Sequence, residues 1–403
     1  MPAFGFTGCW HSQDAGIHKD IVRQPIDQRT PFLPNFSVPD LFSIQAAPFQ
    51  RALSEWFATS RRDLPWRTSK NPYFIWISEI ILQQTRVDQG TPYFERFVQQ
   101  FPTLDTLANA SIDDVLKTWE GLGYYSRARN LHKGARFVQE TWNGLLPQSY
   151  SELLTIPGIG PYTAAAISSI AFSLPEAVVD GNVIRVLTRL FSFSDDVTTA
   201  NSKKWLNHAA SHLLDERNPG LHNEAMMELG ALVCTPLSPS CDACPVSLFC
   251  SGFAAGNPLS FPTKKVKKPI PHYDIAVGII RNDQGDIYIQ RRSEDGMLGG
   301  LWEFPGGKNE KPESLEATCK REIFEETGFH VEVGSKLVSI PHTYSHFKIT
   351  LHAFECYHRP EGETNTDLPW QWAAREHLAE YAFPKANRKL IDVLASGEDV
   401  TIR

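Results

Sequence analysis

Apolar residues recur at helical spacing from Phe49 onward, with Leu53, Trp56 and Phe57 on one face until Leu64-Pro65-Trp66-Arg67 breaks the run. Asn71-Pro72 is a helix-start pair, and the pattern predicts a helix over 73–85 in which Glu79 stands among Ile77, Ile80, Ile81 and Leu82. Amphipathic helices follow at 93–101 and 112–119. Pro157, Gly158 and Gly160 then interrupt an apolar stretch, 163–170 resumes as a short apolar helix, and another begins near Asn182. The middle of the chain therefore reads as helix, tight glycine turn, helix. Beyond His272 the period becomes that of strands, at 275–280 and 287–290, joined through Asn282-Asp283-Gln284-Gly285. Before all of this, Pro2, Pro25, Pro31, Pro34 and Pro39 punctuate a stretch with no sustained period, which predicts a partly disordered extension over 1–45.

The switch of period divides the chain. A helical region spans 46–256, a proline- and lysine-rich connector 257–271, and a region of strands and helix 272–403. A length of 403 residues gives each region enough chain for its own core. The formal net charge of −7 argues against a simple nucleic-acid binder. Acidic residues cluster late, however, at 310–326 and 355–380, while Arg61, Arg62 and the run 127–133 are basic, so a local basic face is compatible with the total. With no apolar run long enough for a bilayer and no leader pattern at the N-terminus, a soluble cytoplasmic protein without a membrane partner is expected. Four of the seven cysteines share one window, which points to metal in a reducing compartment and excludes a disulfide scaffold.

Four groups carry candidate chemistry. Gly158 and Gly160 allow a tight turn and close backbone approach, and the helix after them offers unpaired N–H groups to an anion such as a phosphate. Asp180 is placed to cap the helix near Asn182 and so to stay ionised, whereas Glu79 in an apolar helix is either on an exposed face or buried and pushed toward protonation. An acid and an anion held apart in this way can cleave a glycosidic bond. Cys234, Cys241, Cys244 and Cys250, with six, two and five residues between them, make a four-thiolate set that zinc and an iron-sulfur cluster both accept. In the second region Glu322, Glu325 and Glu326 fall on one helix face, where oxygen ligands could hold Mg²⁺ against a diphosphate.

The run Ile-Pro-Gly-Ile-Gly-Pro-Tyr-Thr at 156–163, followed by Val-Asp-Gly-Asn-Val at 179–183, resembles the helix-hairpin-helix and catalytic aspartate of the base-excision DNA glycosylases, nearest the MutY-type adenine DNA glycosylases. The resemblance spans about residues 50 to 390. It implies a multi-domain protein: an all-α helix-hairpin-helix glycosylase domain with a [4Fe-4S] cluster on the four cysteines, and an α+β Nudix-like C-terminal domain. Residue by residue it implies Glu79 as the acid that protonates a flipped adenine, Asp180 as the cation stabiliser, and Asn182 beside the attacking water. Trp66, Arg67 and Glu224 would form the adenine pocket. Gln84 and Thr85 would meet the DNA stack and lesion, and Tyr124 would intercalate, while Tyr125 packs. Tyr162 stands where relatives that also cut the backbone keep a nucleophilic lysine, so base removal without an efficient lyase step is expected.

Gly307, Glu313, Arg321, Glu322, Ile323, Glu325, Glu326, Gly328 and Phe329 reproduce a complete Nudix box, and Tyr344-Ser345-His346 resembles the loop with which such C-terminal domains recognise 8-oxoguanine. The implied partner is double-stranded DNA with adenine opposite 8-oxoguanine or guanine, bound by a monomer. Rival readings are an endonuclease III-type glycosylase and lyase, a nucleotide-pool pyrophosphatase tethered to DNA, and a lesion sensor without turnover.

Overall fold

Two hydrophobic cores organise the helical region, and the order of the chain decides which helices build each. The computed structural model describes residues 39–263, 269–294, 296–310, 312–344, 346–358 and 366–396. The extension up to residue 38, the connector residues 264–268 and Ser345 lie outside the described residues.

Helix α1 (Ala46–Ser60) comes first. It is followed by α2 (Pro72–Leu82), α3 (Val87–Gln100), α4 (Leu104–Ala108), α5 (Ile112–Thr118) and α6 (Ser126–Trp142). Then come α7 (Tyr150–Leu153), α8 (Pro161–Ile170), α9 (Gly181–Leu190), α10 (Ala200–Leu213), α11 (Pro219–Leu232) and α12 (Ser251–Ala254). The first core is made by residues from Leu64 to Ile167, among them Trp76, Ile77, Phe97, Trp119, Leu131 and Ile156. The second closes the chain on itself: Phe49, Leu53 and Phe57 of α1 pack with Val183, Val186 and Leu187 of α9 and with Leu206, Leu213 and Leu229 from α10 and α11. Each fully buried Leu, Val or Phe contributes roughly 1.5–3 kcal/mol relative to exposure.

Two boundaries differ from the sequence pattern. Ile44 is buried in the second core and its carbonyl accepts from His212 Nε2 at 3.0 Å, so the fold reaches back beyond residue 46 into the predicted extension. Helix α2 starts at Pro72, with Asn71 Oδ1 accepting from the Tyr73 N–H at 2.9 Å, and stops at Leu82 instead of continuing to 85. Gln83 leaves the helical conformation and Gln84 takes a φ of 56°, which places Gln84 and Thr85 in a turn.

In the second region the strands are β1 (His272–Arg281), β2 (Ile287–Arg291), β3 (Trp302–Glu303), β4 (Gly306–Lys308), β5 (Val331–Thr343), β6 (Lys348–His358) and β7 (Trp370–Ala373). The sheet runs β3-β2-β1-β6-β5, with β1 and β6 parallel, β4 added to β1 and β7 to β2. Strand alternation splits its side chains between two layers. Ala276, Ile280 and Tyr288 face Cys319 and Ile323 of α13 (Leu315–Thr327), while Val277, Ile279 and Ile289 face Ala386, Leu390 and Ile391 of α14 (Lys385–Ser396).

The two regions share a packed interface. Leu301 and Ala382 of the sheet region are buried in the first helical core. Around them Arg129 donates to the Gly299 and Glu294 carbonyls, Lys117 Nζ to the Ala379 carbonyl at 2.6 Å, and Arg291 pairs with Asp113 at 2.8 Å. Lys133 pairs with Glu294 at 3.1 Å. The basic run 127–133, read from sequence as part of a local basic face, thus spends Arg129 and Lys133 on the other domain.

Because Leu301 is wholly buried in a core built by the other region, Leu301→Ala should lower stability by about 2–4 kcal/mol. Chemical denaturation followed by circular dichroism measures it; a loss below about 0.5 kcal/mol would show that the contact does not hold the regions together.

Candidate active site

The functional side chains lie at the seam between the two helical cores. Glu79 and Tyr162 come from α2 and α8 of the first core, Asp180 and Glu224 from the cap of α9 and from α11 of the second, and all four line one cavity of about 150 Å³. Trp66, Arg67, Thr85, Asn182, Met227 and Glu228 also line it. A larger cavity of about 440 Å³ adjoins this one across Trp66, Arg67 and Glu224.

Glu79 is buried, 6% exposed, which decides between the two readings of an acidic residue in an apolar helix. The Tyr162 hydroxyl donates to its Oε2. Burial raises the carboxyl's pKa from 4.5 to about 7, with the Tyr162 hydrogen bond and Arg67 opposing that shift and the neighbouring Asp180 and Glu224 reinforcing it. Burial also raises the Tyr162 phenol well above its usual value, so it remains a donor.

Asp180 caps α9, its Oδ1 accepting from the Val183 N–H at 2.7 Å and its Oδ2 from Asn182 Nδ2 at 2.9 Å. The sequence reading expected the cap to push this carboxyl toward ionisation. Here burial is the larger cause and the pKa is raised, with the hydrogen bonds from Val183 and Asn182 restraining the rise. Asn182 in turn accepts from Arg185 Nη2 at 2.7 Å, so its amide is committed to orienting Asp180. Arg185, which the sequence reading did not single out, also donates to the Gly230 carbonyl at 2.6 Å and to the Cys234 carbonyl at 2.6 Å. Its position one helical turn after Asn182 was the available signal.

Arg67 donates from Nε to Glu224 Oε1 at 3.0 Å and from Nη2 to Glu228 Oε2 at 3.1 Å. Glu228, one turn beyond Glu224 on α11 and equally unremarked in the sequence, also takes the Arg62 N–H at 2.9 Å and Arg62 Nη2 at 2.8 Å. These donors hold its carboxyl down at about 2 against the effect of burial. Burial raises Glu224 instead, against the lowering influence of Arg67.

Toward the outer rim of the seam, Gln84 is exposed, Thr85 and Tyr124 are half-buried, and Tyr125 is buried. Tyr124 has a φ of 49° in the turn between α5 and α6. Gly158 has a φ of 84°, and a Cβ there would meet Asn130 Cβ at 2.8 Å, so the turn requires glycine. Gly160 has an ordinary φ of −93° and open space before it; nothing within the chain demands glycine there.

The four sulfurs of Cys234, Cys241, Cys244 and Cys250 ring one small cavity beside Arg189. Arg189 Nη1 lies 3.2 Å from Cys234 Sγ, and its guanidinium also donates to the Thr235 carbonyl at 2.8 Å and the Phe261 carbonyl at 3.1 Å. The thiols of Cys241, Cys244 and Cys250 are raised, by burial first and by one another. Among the described residues no three His, Cys, Asp or Glu side chains converge closely enough to hold a single metal ion. That bears on the sheet region as well. Arg321 bonds Glu313 at 2.7 Å, Glu322 at 2.6 Å and Glu325 at 3.1 Å, while Glu326 is turned inward to accept from Gln290 at 2.8 Å and the Gly306 N–H at 3.0 Å. Of the carboxylates expected to share Mg²⁺, Glu322 and Glu325 are thus gathered on one arginine and Glu326 faces the sheet. Tyr344 stacks on Phe347 at a centroid distance of 4.8 Å and His346 is exposed, both between β5 and β6.

Comparison with known proteins agrees with this division of the chain. A model of the HhH-GPD superfamily of base excision DNA repair proteins matches residues 77–210, and a NUDIX domain model matches residues 276–393. An adenine DNA glycosylase of Rattus norvegicus is 32% identical over 420 residues, covering 91% of this chain and 81% of the relative. That of Homo sapiens is 32% identical, covering 87% and 74%, and that of Buchnera aphidicola subsp. Acyrthosiphon pisum is 33% identical, covering 74% and 83%.

The raised Glu79 pKa has a thermodynamic consequence. A carboxyl that binds its proton more tightly folded than unfolded makes the fold less stable as pH rises from 4.5 to about 7. Glu79→Gln removes that loss, so the variant should match the parent in acid and exceed it by up to about 3 kcal/mol above neutrality. Thermal denaturation across pH measures the difference; a pH-independent one would show that Glu79 is not strained by burial.

Proposed function

The chain belongs to the adenine DNA glycosylase family, and from that membership we propose that it removes adenine mispaired with 8-oxoguanine, or with guanine, from double-stranded DNA in base excision repair. The observation that carries the reading is Glu79: a buried carboxyl with a pKa of about 7, hydrogen-bonded by Tyr162 and lining one cavity with Asp180. Such a group is half-protonated at neutral pH and can act as an acid there.

The base is extruded at a cost of a few kcal/mol that a mispair lowers. Glu79 gives its proton to ring nitrogen N7 as the bond from the sugar's C1′ to the base breaks, and adenine leaves neutral. The sugar is left with the positive charge of an oxocarbenium ion. Asp180, ionised, stabilises that charge; a water then adds at C1′ and its proton returns to the carboxyl pair. Asn182 and Arg185 orient Asp180, and Arg67 with Glu224 holds the adenine edge. Tyr162 occupies the place of a nucleophilic lysine, so no Schiff base forms and the product is an intact abasic strand.

Gln84, Thr85, Tyr124 and the turn of Gly158 and Gly160 meet the DNA. The domain 272–403, with Tyr344, Ser345 and His346, reads the opposite base, and one copy of the chain suffices. Cys234, Cys241, Cys244 and Cys250 would hold a [4Fe-4S] cluster, which when bound supplies a rigid cross-link for the loop after α11. Both zinc and an iron-sulfur cluster accept the all-thiol donor set around this cavity, and membership of the family favours the cluster. Glu322, Glu325 and Glu326 of the Nudix box are the residues that would hold Mg²⁺ if the domain binds it.

The test is single-turnover reaction with a duplex holding one adenine opposite 8-oxoguanine, with Asp180→Asn as control. Strand breakage that requires alkali and falls by at least about 100-fold in the variant is expected; breakage without alkali would overturn the monofunctional reading. Analysis of the purified protein should find iron and acid-labile sulfide, and zinc alone would overturn the cluster assignment.

A further inference from the structure

Arg127 lies in the first turn of α6, and its guanidinium ties together two segments distant in sequence. From Nη1 it reaches the carbonyls of Ile80 at 2.8 Å, Ile81 at 3.0 Å and Gln83 at 2.6 Å, the open C-terminal end of α2. From Nη2 it reaches the Gly123 carbonyl at 3.2 Å, and its cation lies over the rings of Trp119 and Tyr124, at 5.3 and 5.5 Å. Trp119 Nε1 donates to that same Gly123 carbonyl at 3.1 Å. A cation is favourable at a helix C-terminus, but this one is substantially buried, and desolvation pulls its pKa down to about 10.

Each of the two tied segments ends in a non-glycine residue of positive φ, Gln84 at 56° and Tyr124 at 49°. Such conformations cost about 1–3 kcal/mol each and persist where the surroundings over-determine them. Here Arg127 is the group common to both. The backbone carbonyl next to Gln84 and the one next to Tyr124 share one rigid, planar donor, so the separation of the two side chains is fixed by the guanidinium.

We propose that Arg127 is a positioning residue for base extrusion: it locks the Gln84 turn and the Tyr124 turn in the mutual register at which both side chains enter the duplex. This rests on the reading above that Gln84 and Tyr124 contact the DNA stack. Arg127 touches neither the base nor the sugar, and its effect passes through those two residues. A planar fork is also what lysine lacks, since an ammonium cannot span both turns.

The experiment uses the full holo-protein in single-turnover excision on two substrates, a duplex with adenine opposite 8-oxoguanine and a duplex whose adenine lies in an unpaired bubble that needs no extrusion. Arg127→Lys, which keeps donors for the α2 carbonyls, should slow excision from the mispair about 10-fold or more while leaving the bubble within about 2-fold. In a background already carrying Gln84→Ala and Tyr124→Ala, adding Arg127→Lys should cost no more than about 2-fold. Equal slowing on both substrates, or a penalty that multiplies in the truncated background, would assign Arg127 to stability alone and overturn the proposal. If Gln84→Ala and Tyr124→Ala each left mispair excision unchanged, the DNA-entry reading would fail first, and the proposal with it. Arg127→Met, with no donor, is compared only if its thermal denaturation matches the parent's.

Discussion

Burying one carboxyl at the meeting of two hydrophobic cores is the constraint on which the site depends. Water would hold Glu79 ionised; the apolar faces of α2 and α8 remove that water and leave the Tyr162 hydroxyl as its hydrogen-bond partner. The arrangement needs both cores at once. Trp76, Ile77 and Ile80 fix α2 from behind, and Val183, Val186 and Leu187 fix α9, so that the Asp180 cap arrives opposite Glu79 without any covalent link between them. A seam of this kind can open or tighten by small movements of whole helices, while a pocket within a single core would have to be carved from its packing.

Arginine does most of the joining. Arg67 and Arg62 converge on Glu228, Arg185 connects Asn182 to the Cys234 carbonyl, Arg189 binds the loop that carries the cysteines, and Arg127 and Arg129 satisfy backbone carbonyls. A guanidinium presents five donors in a fixed plane, so each can close several open carbonyls or a carboxylate and hold the joined elements at a set angle. That use explains why a chain of net charge −7 can build its active domain around cations without those cations being available to phosphate.

Much of this was legible in the order of residues, and the failures have physical causes. The position of Glu79 on an apolar helix, the glycine turn and the thiol spacing are local patterns, and local patterns survive folding. The end of α2 was set three residues too late because nothing in Gln83-Gln84-Thr85 forbids a helix; the side chain that takes the terminal carbonyls, Arg127, lies 44 residues onward. The direction of the Asp180 shift was misjudged for a similar reason. A cap lowers a carboxyl's pKa, but the burial that outweighs it comes from the folded surroundings and is invisible at the cap. Glu322, Glu325 and Glu326 do share a helix, yet whether three carboxylates meet a cation or an arginine depends on where Arg321 turns its side chain, which spacing does not encode.

The interface between the regions then decides how freely the second domain can move. A domain on a free linker samples many orientations, and its loop reaches the duplex only as one encounter among them. Here Leu301 and Ala382 occupy the same core as Trp119 and Tyr125, and Glu120 accepts the Phe383 N–H at 3.2 Å. The residues on either side of the Tyr124 turn are therefore also residues on which the second domain sits. Displacing that domain must disturb the packing beneath Tyr124, and straining Tyr124 must load the contact with the second domain. On the proposed reading, the adenine and the base opposite it would be met by parts of one packed body.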